Sequence, residues 1–574
     1  MHSSNFFSLR LGLLAGAMCV SATAILMFSA EANDKTKTET KTETWGAAGS
    51  DTVWLKQGWS PFDRDWYYFQ TQGSEIMSYG FFVNLEQPDS EKLFRDRAHM
   101  SELGFTTVEP SAANPDGLPI GFTRDGYKDV LGINCAACHN GQVNYKGKRI
   151  IVDGGVAHQD FPEFNKRLAR ALRATLVDQA KFDRFARRIL KSDYKPDNIL
   201  ALRRDLKAAT DKRSEFVTRQ YTNEVVAGHG RLDAFNGIFN RALALTGVPG
   251  NRVDATAPTS YPHIWDNSLM DFVQYDGDVS NVGIGSLMRN AGEIVGVYGR
   301  IEGVKKLDLK AGYPSSIRMH DLVDIEETLK RLVSPKWPDF FPSIDPDKSA
   351  EGKELYAQNC AQCHQVIDSR DPNRRIVRPF YKAELIGTDT ARLKAVGLVK
   401  PMGVFEGRMV QFSKGRKFKA NDYVVDLLNH IQDGAAQASL TPELAARVAA
   451  SAPFKVNHKK TGKFDPSTEK EPFKEFWAYG ARPLNGIWAT APYLNNGSIP
   501  NLYQLLLPPE KRVKKFYVKS REFDPVNVGF KSEWVPGASM IDTTKPGNRN
   551  TGHEFGTKLS DAERNALIEY LKTL

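Results

Sequence analysis

The chain has 574 residues, a formal net charge of +9, 41% hydrophobic and 25% charged residues, and five cysteines. That length can bury one full core or two. The composition excludes a disordered chain, a collagen-like fibre and a multi-span membrane protein, and so few cysteines exclude a disulfide-dense scaffold.

Residues 1–32 read as a signal peptide. Arg10 precedes an apolar run of roughly 20 residues, and Ala30-Glu31-Ala32 supplies a small-x-small cleavage site. An uncleaved anchor is the alternative, because the run is long enough to span a bilayer. Either way the body is read as exported, periplasmic or secreted, with no stable membrane insertion once the leader is removed. The leader carries one basic and one acidic residue, Arg10 and Glu31, so the remainder keeps its charge of +9. The basic residues are interleaved with acidic ones, as in the run 166–191. Without a concentrated basic, aromatic stripe, nucleic acid is not an expected partner. Residues 33–44, NDKTKTETKTET, are too polar to repay ordering and read as a flexible linker. Ordered structure is predicted from about Trp45.

A first domain is predicted over 45–335, opening on the aromatic-rich stretch WLKQGWSPFDRDWYYF. It holds the motif Cys135-Ala136-Ala137-Cys138-His139, then NYKGKRIIVDGG, whose alternation and Gly-containing turn predict a hairpin. Residues 161–222 are helical in pattern, and 245–290, rich in Gly, Pro, Asn and aromatics, read as irregular loop. A second domain is predicted over 340–574. SAEGKELYAQNC predicts a helix running into Cys360-Ala361-Gln362-Cys363-His364. LSDAERNALIEYLKTL predicts a closing helix, with Ser560 and Glu563 as a capping box and Leu567, Leu571 and Leu574 on one face. Two helices so arranged follow the small cytochrome c plan. The fold class expected is mainly α, with two cytochrome c-like haem domains, long ordered loops and short β hairpins.

With Cys19 in the leader, the other four cysteines lie in two C-x-x-C-H motifs, the c-type haem attachment signature. Two thiols one turn apart can each add to a haem vinyl group, and the adjacent histidine lies under the iron as its proximal ligand. A dithiol redox centre would not need the histidine twice. A zinc site would have to join motifs 225 positions apart. A buried disulfide is the remaining alternative. The motifs therefore predict two covalent c-type haems, on Cys135, Cys138 and His139 and on Cys360, Cys363 and His364.

Several stretches resemble the di-haem cytochromes related to bacterial rubber oxygenase, a branch beside the bacterial di-haem cytochrome c peroxidases. These are residues 57–87, NPDGLPIGF, LGINCAACHNGQVNYKG, SYPHIWD, ARPLNGIWATAPYLNNGS and GNRNTGHEFG. Asn495 stands where the family leads one to expect a histidine. The resemblance implies that His553 ligates the C-terminal haem on its second face and that Trp265 lies between the haems; Met402 is the rival ligand, since small cytochromes c use a downstream methionine. The resemblance also implies an open iron above His139. His158, His229 and His263 are the other candidates for that sixth position. Asn281, Arg289 and Glu293 lie together in sequence and could polarise bound oxygen or act as acid and base. Arg289 and Glu293, one turn apart, also suit a buried ion pair. The function expected is an oxidoreductase activating O2 or peroxide at the N-terminal haem, with the C-terminal haem relaying electrons. Its partner would be an apolar olefin, as in a rubber-oxygenase-like dioxygenase, or a small cytochrome or cupredoxin, as in a peroxidase. A non-catalytic electron carrier is the alternative.

Overall fold

The computed structural model describes residues 51–305, 312–410, 415–454 and 477–574. The predicted leader, linker and ordered start near Trp45 lie outside the described residues. Helix takes 40% of the described residues and strand 15%. The strands form two three-stranded and six two-stranded sheets among the described residues. With 45 glycines and 30 prolines punctuating the sequence, few strands run long enough to build a larger sheet.

The predicted hairpin forms from Asn140–Tyr145 and Lys148–Asp153, with Tyr145 paired to Lys148 across the turn. A third strand, Thr52–Trp54, adds in parallel to its far edge. The segment after it makes three helices, Phe161–Val177, Gln179–Leu190 and Pro196–Tyr221. Asp160 starts the first by accepting the Glu163 amide, and Phe164, Leu168, Leu172 and Thr175 line its buried face. One helix, Gly285–Gly296, enters the stretch expected to be loop. Its Leu287, Met288, Ala291, Ile294 and Val295 are buried, and that burial outweighs the poor helix propensity of three glycines.

The fold class is corrected here: the chain does not form two cytochrome c-like domains. Its first hydrophobic core draws on Leu55, Trp59 and Tyr67 near the start, Trp265 and Leu332 in the middle, and Trp488, Leu567 and Leu571 near the end. A second core joins Phe239, Leu287 and Leu322 to Phe405, Leu427 and Ile431. Both motif-bearing halves contribute to shared cores, and "mainly α" holds only loosely beside so many small sheets. Helix Pro346–Asn359 packs on helix Asp561–Thr573 within the first core. The Ser560–Glu563 capping box is formed, and Leu567 and Leu571 face inward. Among the described residues no helix is long and apolar enough to cross a membrane.

Candidate haem centres

Cys135–Ala137 form one turn of 3-10 helix, capped by Asn134, whose side-chain oxygen accepts the Ala136 amide at 3.0 Å. The Asn134 amide donates to the Tyr67 and Gln70 carbonyls, tying the turn to helix Pro61–Phe69. Gly121, at φ +87°, lets its strand pass so close that a Cβ there would lie 2.1 Å from the Ala137 nitrogen. The turn brings the His139 amide to the Cys135 carbonyl (2.9 Å), and both thiols and the His139 ring face a cavity of about 340 Å³. Its walls are largely apolar, with Phe161, Phe216, Phe235 and Ile238 among them. Burial, with Glu293 adding to it, pushes the Cys135 and Cys138 thiols up to about 12.

His139 Nδ1 donates to the Pro262 carbonyl at 2.7 Å. Burial lowers its pKa to about 4, so the ring is neutral and Nε2 keeps its lone pair for a metal. The Tyr67 hydroxyl donates to the His139 carbonyl at 3.1 Å. The second motif repeats this arrangement. The His364 amide donates to the Cys360 carbonyl (2.9 Å), the Tyr356 hydroxyl to the His364 carbonyl (2.7 Å), and His364 Nδ1 to the Arg482 carbonyl (2.7 Å). Burial lowers the His364 pKa and pushes the Cys360 thiol up to about 11, Cys363 adding to the latter. All four thiols are free, and among the described residues no cluster of three or more His, Cys, Asp or Glu side chains is placed to hold a bare ion. Neither the disulfide nor the zinc reading finds support in this geometry.

The two motifs differ in what faces the histidine. The His553 ring centre lies 6.2 Å from that of His364. Metal–nitrogen bonds of roughly 2 Å on opposite faces, plus about 1 Å from each nitrogen to its ring centre, give a separation of about 6 Å. The pair therefore fits one iron between two imidazoles. Burial, with the charges of His364 and Arg512 beside it, lowers the His553 pKa to about 3, which leaves that ring neutral as well. Met402 is fully buried in the second core, whereas Cys360 of the second motif packs against the first. By contrast, among the described residues no histidine other than His139 lines the 340 Å³ cavity. His158 packs edge-on against Phe530, His263 stacks on Trp265 at 4.3 Å, and His229 lines a separate polar chamber. Met288 does line the cavity.

Of the other predicted residues, Arg289 and Glu293 both line this cavity. Arg289 pairs with Glu326 rather than Glu293, and donates to Asn281 at 2.7 Å and Asn290 at 3.1 Å. Glu293 accepts from Gln274 at 3.3 Å, and burial raises its pKa. Asn281 stands behind Arg289, its amide spent on the Asn267 and Met270 carbonyls. Trp265 is buried in the first core, its indole N–H on the Asn485 carbonyl at 2.9 Å. That bond joins the segment following Pro262 to the segment following Arg482. Asn495 donates to the Tyr479 hydroxyl at 3.0 Å. The sequence did not point to Tyr67, Pro262, Tyr356 or Arg482. Only Tyr356, one helical turn before Cys360, lay close enough to its motif to be found.

A family profile described as RoxA-like, cytochrome c-like matches residues 478–517, which include ARPLNGIWATAPYLNNGS. A cytochrome c-like segment points to haem. The uncharacterized protein y4iJ of Sinorhizobium fredii is 30% identical over 636 aligned positions that span all of both chains. The uncharacterized protein y4iM of the same organism is 25% identical over 338 positions, covering 55% of this chain and 64% of its own. The chain thus belongs to the same family as the y4iJ protein, and its segment 478–517 resembles RoxA-like, cytochrome c-like proteins.

Proposed function

We propose that the protein is an exported di-haem c-type oxidoreductase with one open and one closed centre. The observation that carries this reading is the asymmetry between the motifs: His364 faces His553 at 6.2 Å, whereas among the described residues no second histidine lines the cavity that His139 faces. Cys135 and Cys138 would tether the first haem and Cys360 and Cys363 the second, with His139, His364 and His553 as iron ligands. When bound, haem supplies an iron that exchanges electrons and, where one face is vacant, takes O2 or peroxide.

The chain's own residues would prepare the open site. The Pro262 carbonyl orients His139 and raises its basicity as a ligand. Glu293, whose pKa burial raises, would be the proton source at the cavity wall. Arg289, fixed by Glu326, Asn281 and Asn290, holds a positive charge against that wall. Trp265 would assist electron passage between the centres. The apolar lining suits an apolar olefin, the dioxygenase reading, while Glu293 suits peroxide cleavage, the peroxidase reading with a small redox protein as electron donor. A second reading rests on Met288: a thioether closing the first iron would leave an electron carrier.

Electron paramagnetic resonance with carbon monoxide binding tests this. One high-spin and one low-spin haem, with only the high-spin one taking up carbon monoxide, is the expected outcome. Two low-spin haems indifferent to carbon monoxide, cyanide and peroxide overturn the enzyme reading. Oxygen uptake with an olefin, against peroxide turnover with a reduced cytochrome, separates the two activities.

A further inference from the structure

We propose that Arg482 is a positioning residue that fixes both motif histidines at once, an inference that rests on the two-centre reading above. Its main-chain carbonyl accepts His364 Nδ1 at 2.7 Å. Its guanidinium reaches the other centre: Nη1 donates to the His263 carbonyl at 3.0 Å and Nη2 to Asn267 Oδ1 at 3.0 Å. The peptide before His263 carries the Pro262 carbonyl that holds His139 Nδ1. One residue therefore supports both carbonyls on which the imidazoles hang. The guanidinium lines a small cavity that Cys135, His139 and Glu293 also line.

The choice of arginine follows from this placement. Among the described residues no carboxylate lies within ion-pair distance of Arg482, and its Nε has no partner. A buried cation without a side-chain counter-ion costs stability rather than adding to it. A planar fork does, however, hold two acceptors at fixed separation, which a lysine cannot. The loop it grips is held from the far side as well. Asn267 gives its own carbonyl to Asn281, which accepts from Arg289. The hydrogen bond at Nδ1 sets ring orientation and ligand basicity. A shift of the 262–267 loop is thus transmitted through Arg482 to the carbonyl that orients His364.

The test uses the full-length holoprotein with Arg482→Lys, Arg482→Gln and Asn267→Ala. Intact mass first counts the haems on the parent. Fewer than two overturns the two-centre reading, and this inference with it, before any variant is made. The variants are then compared by two signatures: the ferrous iron–histidine stretching band of the open centre and the g-values of the low-spin centre. We expect both signatures to move in Arg482→Lys, which keeps the charge but loses the fork, with the stretching band falling in frequency. Turnover should drop about tenfold, as when an outer hydrogen bond to a ligating histidine is lost. Asn267→Ala, which removes one acceptor only, should move both in the same direction by less, and it decides the matter if the Arg482 variants fail to fold. Both signatures at their parent positions, or movement at one centre alone, overturns the proposal.

Discussion

His553 owes its place to its backbone as well as its ring. Its φ is +48°, and it follows Gly552 at φ +69°, whose Cβ would lie 2.2 Å from the Gly387 carbonyl carbon. The loop presents the imidazole only where both residues hold left-handed conformations. His553→Ala should convert the C-terminal haem from low to high spin, read by electron paramagnetic resonance, and an unchanged low-spin signal would assign the ligand elsewhere. Glu293 gives a pH prediction. Burial raises its pKa, so the folded protein keeps a proton there that the unfolded chain has lost. Between the ordinary and the raised value, stability falls as pH rises. A turnover step that draws on this proton declines over the same rise, and Glu293→Gln should remove that limb of the pH–rate profile. At this scale the grouping of Cys135, Cys138 and His139 about one cavity was legible because the C-x-x-C-H signature sets them adjacent in sequence. The carbonyls that orient the motif histidines were not, since Pro262 lies 123 positions from His139 and Arg482 lies 118 from His364. Only the fold brings them together.

The helices around the second motif depend on close approach. Gly352 in helix Pro346–Asn359 abuts helix Asp561–Thr573 so tightly that a Cβ would lie 2.0 Å from the Ala566 carbonyl oxygen. Gly352→Ala should force the two helices apart and cost about 1–3 kcal/mol, measured by denaturant unfolding. A stability equal to the parent's would mean that the contact can relax. The closing helix and the hairpin were readable because their signals are local: a capping box, a leucine face, and alternation about a glycine turn. Helix Gly285–Gly296 was not, because its three glycines speak against helix. Its formation depends on burial in a core with Phe405, Leu427 and Ile431, which are distant in sequence.

Across the whole molecule, the two motifs do not mark two independent bodies. The first core is completed by Leu55, Trp59, Tyr67, Ile150 and Trp265 from one half and by Trp488, Leu502 and Leu567 from the other. Losing one large apolar side chain from a core costs about 2–5 kcal/mol, against a total stability of about 5–15 kcal/mol. A fragment beginning at residue 340 lacks all five of the former and should not hold fixed tertiary structure. Near-ultraviolet circular dichroism and dye binding would show this, and a native-like spectrum from the fragment would argue for a self-sufficient C-terminal body. Motif spacing suggested two cytochrome-like units because a repeated signature reports repeated chemistry. It does not report how the apolar surface around each copy is covered.

That shared core also imposes an order in time. Cys135 and Cys360 both pack against it, and the helix that seals it is the last thirteen-residue element of the chain. In the folded chain the first motif's thiols are poor nucleophiles, since burial raises their pKa to about 12. On the two-haem reading, porphyrin attachment at Cys135 and Cys138 would therefore belong to the period before folding is complete, while the chain still leaves those sulfurs in water.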